Sequence, residues 1–224
     1  MGATRHESGM NPSGRGVVAL LGAESSGKTT LAAELCTSLR GAGRDACVVA
    51  ETLREFCDRE ARTPRRDEQA GLAAEHSRRI EAAASAHDIV IADTTALQTA
   101  VYSALVFGDA SLYAAAEAWQ RAQVRLTLLS ALDLPWQPDG LQRDGEHVRA
   151  PVDALLRASL ARAGVAYAVI GGLGPQRLAC ALAAVRHALG MIDTMDGGRA
   201  SSAPRWRCER CGDPDCERHL LPRG

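Results

Sequence analysis

Eight consecutive residues, Gly22-Ala23-Glu24-Ser25-Ser26-Gly27-Lys28-Thr29, have the types and spacing that most directly imply a chemistry. They satisfy the pattern G-x-x-x-x-G-K-[ST] at every required position. Glycines at these places let successive backbone N–H groups curl around phosphate oxygens. The N-terminus of a following helix adds a favourable dipole. Gly22, Glu24, Ser25, Ser26, Gly27, Lys28, Thr29 and Thr30 are therefore expected to hold ATP. Lys28 would reach the β- and γ-phosphates, and the Thr29 hydroxyl would ligate Mg²⁺. Lys28 is also the only lysine in the sequence, every other basic residue of this type being arginine. A compact ammonium stands where a point charge is wanted and a planar guanidinium is not.

Two carboxylates complete the expected centre. Residues 88–92 (DIVIA) are a short hydrophobic run that delivers Asp93-Thr94-Thr95. An Asp there would hold the Mg²⁺ water shell beside Thr29. The alternative is that it merely caps the next helix. Residues 45–50 (DACVVA) end in Glu51, with Arg54 one helical turn on. Ligands of an open parallel sheet bind at the carboxyl ends of its strands. Glu51 and Arg54 are thus expected to face the phosphate loop, with Glu51, Arg54 and Thr94 binding an acceptor; the alternative is a solvated helix start with an acidic first turn. Glu51 and Asp93 both remain candidates for the base that takes a proton from the acceptor. His76 either lines the substrate pocket or is structural.

A third constellation lies near the C-terminus. Cys208, Cys211, Cys216 and His219 have the spacing C-x2-C-x4-C-x2-H. Three thiolates and an imidazole can surround Zn²⁺ tetrahedrally; the alternative is a flexible tail with reactive thiols. Cys36, Cys47, Cys57 and Cys180 fall in apolar surroundings and are expected to be reduced, buried, small side chains.

The elements that must position these residues are set by the hydrophobic pattern. Gly16–Leu21 is a continuous apolar run, as a buried parallel strand requires. Residues 29–39 read as a helix with Leu31, Leu35 and Leu39 on one face. Further helices are expected over 68–86, 95–107, 111–120, 151–163 and 175–189, and further strands over 124–129 and 165–170. Alternating strands and helices of this kind imply an α/β fold, a P-loop NTPase three-layer sandwich with a central parallel sheet of about five strands and a small Cys-rich tail. Residues 1–15 read as a disordered leader, 16–189 as the nucleotide domain, 190–204 as a linker and 205–224 as the tail. Residues 135–150 are rich in Pro, Gly and charge, and read as a lid. Within it Arg143 and Arg149 are candidates to neutralise transition-state charge, the alternative being plain solvation.

A formal net charge of −1 gives no electrostatic case for nucleic acid or a membrane surface. No apolar run has membrane-spanning length, and the N-terminus lacks an apolar signal core. A cytoplasmic protein is expected, with a homo-oligomer as a candidate assembly and ATP and a small nucleoside-like substrate as its partners.

Taken together, the loop Gly22–Thr29, the run Glu51-x-x-Arg54-Glu55-Phe56, Ile91-Ala92-Asp93-Thr94 and Trp136-x-x-Asp139-Gly140-Leu141 resemble the ribosylnicotinamide kinase domain of the bifunctional NadR proteins. The resemblance covers residues 16–189. It implies a P-loop kinase that transfers the γ-phosphoryl group of ATP to the 5′-hydroxyl of nicotinamide riboside, giving NMN in NAD salvage. Lys28, Glu51, Asp93 and Arg143 are expected to be catalytic. Thr95 stands where that pattern usually has a second Asp, and Gln142 where the lid usually has Arg, with Arg143 one place on. Only residues 1–15 precede the first strand, so neither the adenylyltransferase nor the DNA-binding domain of NadR is expected here. A regulatory or accessory ATPase with no small-molecule acceptor is the alternative. A second alternative is an adaptor that works through its metal-binding tail.

Overall fold

Strands that are apolar on both faces must be covered on both, and this decides how the layers form. In the computed structural model, which describes residues 14–137 and 146–191, five strands make one sheet. In chain order the elements are β1 (Gly16–Leu21), α1 (Lys28–Gly41), β2 (Ala46–Val49), α2 (Thr52–Glu60), α3 (Gln69–Ala86), β3 (Ile89–Asp93) and α4 (Ala96–Phe107). They continue with α5 (Tyr113–Gln123), β4 (Val124–Ser130), α6 (Arg149–Ala163), β5 (Tyr167–Ile170) and α7 (Gly174–Ala188). The strands run in the order β2-β3-β1-β4-β5, and every pairing is parallel.

Side chains two apart point to the same face. Val18, Leu20, Ile89 and Ile91 therefore pack with Leu31, Leu35 and Leu39 of α1 and with Ala181 and Val185 of α7. Val17, Val90 and Ala92 turn the other way, onto Ile80 of α3. Leu21 and Leu129 join that second face, against Leu97 and Val101 of α4 and Leu156 and Leu160 of α6. The result is a helix–sheet–helix sandwich. β1 and β3 are buried along almost their whole length, as strands covered on both faces must be.

The order places a switch point beside β1. From β1 the chain passes to β2 and returns to β3 on one side, then crosses to β4 on the other. Loops leaving the ends of β1 and its neighbours diverge there and open a crevice. The phosphate loop leaves β1 at this point, and Asp93, paired in register with Leu20, ends β3 beside it.

Local differences from expectation are small and physical. α6 begins at Arg149 and not at Pro151, because proline is tolerated in a helix's first turn. Asp93 closes β3 as a strand residue and does not come after it. The expectation of four buried core cysteines is corrected: Cys36 and Cys57 are buried, Cys47 is half-buried and Cys180 is exposed. α7 buries the stripe Arg177, Ala181 and Val185, and Cys180 lies off it. Two units separate at Met191. The leader, the middle of the lid with Arg143, and the tail with Cys208, Cys211, Cys216 and His219 lie outside the described residues. No helix among the described residues is long and apolar enough to cross a membrane.

Candidate functional site

The loop between β1 and α1 is held open by its own backbone. Gly27 sits at φ 72° before the first turn of α1, which has no side-chain cap. The first N–H groups of a helix have no partner within it, so here they face an anion's place. Gly22 has φ +150°, and a Cβ there would stand 2.9 Å from Ser130 Cβ and 3.0 Å from Ser26 Oγ. Only glycine fits this close approach. Lys28 Nζ donates to the Gly22 and Ala23 carbonyls at 3.0 and 2.9 Å, placing the ammonium at the mouth of the loop. Ser26 Oγ closes the turn on the Ala23 carbonyl at 2.7 Å.

Thr29 Oγ1 donates to Asp93 Oδ2 at 2.6 Å, which brings the loop and the end of β3 together across 64 residues of sequence. Asp93 is 2% exposed, and its Oδ1 is buried with no hydrogen-bond partner among the described residues. An orphaned carboxylate oxygen in a buried site is costly, and a hard divalent cation is the partner such oxygens suit. The hydroxyl and carboxylate present therefore fit Mg²⁺.

A cleft of about 380 Å³ opens from the loop. One wall is Glu24 through Thr30. The cleft is lined as well by Glu51 before α2, by Leu53, Arg54 and Cys57 of α2, and by Tyr102 and Phe107 of α4. Glu51 sits at the N-terminal boundary of α2, and its side chain makes no capping bond to the helix. Burial pushes its carboxyl above the ordinary glutamate value; Asp93 adds to this, while Lys28, Arg54 and a hydrogen bond from Thr94 oppose it. Thr94 and Asp93 stand behind the wall. Thr94 has φ 72°, an uncommon conformation for a β-branched residue, of the kind that costs about 1–3 kcal/mol. Its N–H donates to the Leu20 carbonyl at 3.1 Å, and its carbonyl is in hydrogen-bond contact with His76.

His76 does not line the cleft. It is 3% exposed on α3, and burial pushes its imidazole below the usual value. Arg149 is also elsewhere. It is buried at the start of α6, where Nη2 donates to the Leu134 carbonyl at 2.8 Å and so holds the segment that follows β4. Thr95 is fully buried. Its Oγ1 caps Leu97 N at 3.3 Å and donates to Gln120 Oε1 at 2.8 Å, and Gln120 in turn donates to Thr127 at 3.0 Å. It serves the packing of α4 and α5 and does not face the loop.

Two supporting residues were not legible in the sequence. Gln98 of α4 grips the Gly22 peptide at both ends: Oε1 accepts from Gly22 N at 3.3 Å and Nε2 donates to Gly22 O at 2.9 Å. Arg177 of α7 donates to the Ser26 carbonyl at 2.7 Å and reaches Asp133 at 3.5 Å. Ser25 Oγ both donates to the Gln137 carbonyl, at 2.8 Å, and accepts from its N–H, at 3.0 Å, tying the loop to the segment that follows β4. No local pattern marks these residues; only the fold brings them to the loop.

A family model described as an AAA domain matches residues 17–177. No curated protein matches the chain. Among solved structures, the NadR protein in complex with NAD and AMP-PNP superimposes with a TM-score of 0.60 at 21% identity. The match covers 79% of this chain and 50% of that one. The NadR protein in complex with NR superimposes with a TM-score of 0.64 at 20% identity, over 79% of this chain and 50% of that one. The chain thus spans about half the length of those NadR chains. The likeness shows that the five-stranded P-loop fold is the one found in NadR.

Proposed function

This chain belongs to the AAA-domain family whose model its residues 17–177 match, and we propose that it is an ATP-dependent small-molecule kinase whose acceptor is nicotinamide riboside and whose product is NMN. One observation carries this. A single cleft is walled on one side by the phosphate loop and on the other by Glu51 and Arg54. A protein that only hydrolyses ATP needs water at the γ-phosphate and no second wall. The NadR structures with the same fold were solved with NR and with NAD and AMP-PNP, which supports a nucleoside in that second half.

Loop amides and Lys28 hold the triphosphate. Thr29 and Asp93 are the residues that would hold Mg²⁺, whose chemistry when bound is to neutralise charge on the phosphate oxygens. The acceptor's 5′-oxygen bonds to the γ-phosphorus, the bond from that phosphorus to the β-bridging oxygen breaks, and ADP leaves. The hydroxyl proton passes to Glu51. A carboxyl raised above its ordinary range is the better base for this step, which favours Glu51 over Asp93, already engaged by Thr29. Arg54 beside Glu51 orients the ribose, and Arg143, which lies outside the described residues, is the candidate to neutralise charge on the transferred group.

The test is a γ-labelled ATP screen over nucleosides with nicotinamide riboside first. Labelled mononucleotide is the expected result, and Lys28→Ala should lower the rate by about 10²–10³-fold, as loss of a transition-state donor does. Release of labelled inorganic phosphate with no labelled acceptor would overturn the kinase assignment in favour of a regulatory ATPase.

A further inference from the structure

His76 is a buried titratable group that stands close behind the cleft and takes no part in lining it. We propose that it is a positioning residue, a strut that fixes the acceptor-side carboxylate Glu51 relative to the cation-side carboxylate Asp93. The inference rests on the kinase assignment above and names what holds its two halves in register.

His76 Nδ1 lies 2.8 Å from Thr52 Oγ1, and Nε2 lies 3.1 Å from the Thr94 carbonyl. Thr52 is the first residue of α2 and comes directly after Glu51. Thr94 comes directly after Asp93. The ring therefore joins the two strand ends whose next-door residues carry the chemistry, and does so from α3, which supplies neither carboxylate.

The chemistry of the two partners fixes the ring's hydrogen. A carbonyl oxygen can only accept, so Nε2 carries the proton and donates to Thr94. The lone pair of Nδ1 then accepts from the Thr52 hydroxyl. One neutral tautomer satisfies both contacts, and burial of the ring opposes the charged form. The strut also explains the backbone of Thr94. Its peptide is pinned from both sides, the N–H by Leu20 and the carbonyl by His76, while φ stays at 72°. Strained backbone of this kind persists only where its surroundings over-determine it. Removing the ring frees the carbonyl and lets the turn relax, which shifts the Thr94 side chain off Glu51, while Asp93 stays held by Thr29 and by its place in β3. The ring's two hydrogen bonds go to Thr52 and Thr94 and not to the phosphate loop, so the loop's grip on nucleotide is left in place.

The experiment compares full-length wild type with His76→Ala, His76→Gln, Glu51→Gln and the double variant Glu51→Gln/His76→Ala. Measured are phosphoryl transfer to nicotinamide riboside per folded molecule, binding of magnesium AMP-PNP, and the long-range ¹H–¹⁵N NMR spectrum of the histidine rings. Expected for His76→Ala is a fall in kcat of about 10–100-fold, the range for loss of a supporting contact, with AMP-PNP affinity unchanged. His76→Gln should recover part of the loss, because its amide still donates to Thr94. The double variant should be no slower than Glu51→Gln, since residues that act as a unit are not additive. The spectrum should show a His76 ring protonated at Nε2 and bare at Nδ1. Wild-type kcat in folded His76→Ala, or a ring protonated at Nδ1 at neutral pH, would overturn the strut alone. A wild-type protein that transfers nothing would instead overturn the kinase assignment, and with it this role. If His76→Ala does not fold, His76→Gln and the wild-type spectrum decide.

Discussion

Replacing Gln98 by Leu tests whether the phosphate loop is pre-formed by the fold or merely permitted by its glycines. The side chain is 3% exposed, and leucine is close to it in volume, so little cavity forms. The double grip on the Gly22 peptide is lost. The Gly22 carbonyl keeps Lys28 Nζ at 3.0 Å, so it forfeits one of two donors, at about 0.5–1.5 kcal/mol. The Gly22 N–H forfeits its acceptor in a buried site, at about 1–3 kcal/mol. The longer 3.3 Å contact argues for the lower half of that range. A total of about 1.5–3.5 kcal/mol is expected as lost stability in urea unfolding. About 1.4 kcal/mol of lost loop order would weaken nucleotide tenfold, so calorimetry with magnesium AMP-PNP should show about that drop. Gln98→Glu is the informative partner. It keeps the acceptor for Gly22 N but sets a carboxylate oxygen against the Gly22 carbonyl and beside the place for phosphates. It should bind nucleotide worse than the leucine variant. A leucine variant within about 0.5 kcal/mol of wild type, with unchanged affinity, would refute the reasoning: the clamp would then be a contact without consequence.

Two other outcomes rest on the same geometry. Gly22→Ala forces a Cβ to 2.9 Å from Ser130 Cβ at a φ of +150°. It should cost about 2–4 kcal/mol from overpacking and backbone strain together. Adding Ser130→Gly should return only the packing part, as read by urea unfolding of the single and double variants. For Glu51, burial raises the folded carboxyl above the ordinary glutamate value of 4.5. Between that value and the raised one the folded state binds more proton than the unfolded chain, so stability falls as pH rises through the window. Glu51→Gln should flatten that slope in thermal unfolding measured from about pH 4 upward in roughly unit steps, and an identical slope in both proteins would show that Glu51 is not desolvated.

Much of the site could be read from the chain itself because its chemistry is packed into short spans. Gly22 through Thr29 specify a turn, an ammonium and a helix start within eight positions. The continuous apolar runs of β1 and β3 mark strands covered on both faces, and the leucine stripe of α1 names the face that helix buries. Glu51 and Asp93 were found for a topological reason, since parallel strands deliver the residues at their carboxyl ends to one edge of the sheet. Thr95 shows the limit of pattern. It stands where the NadR-like motif usually has a second Asp, and the structure turns its hydroxyl into the core toward Gln120.

His76, Gln98 and Arg177 mark the boundary most clearly. The histidine could not be assigned from its neighbours in the chain, because its meaning lies in Thr52 and Thr94, 24 and 18 residues away. Gln98 meets Gly22 across 76 residues, and Arg177 meets Ser26 across 151. The sequence alone determined which residues can bind phosphate, ligate a cation and take a proton, because those abilities are properties of side chains and of the dihedral angles of a short loop. Only the tertiary structure decided which peptide each supporting side chain holds. Those partners meet at 2.9 and 2.7 Å because helices pack onto a twisted sheet, and nothing in local spacing encodes such a distance.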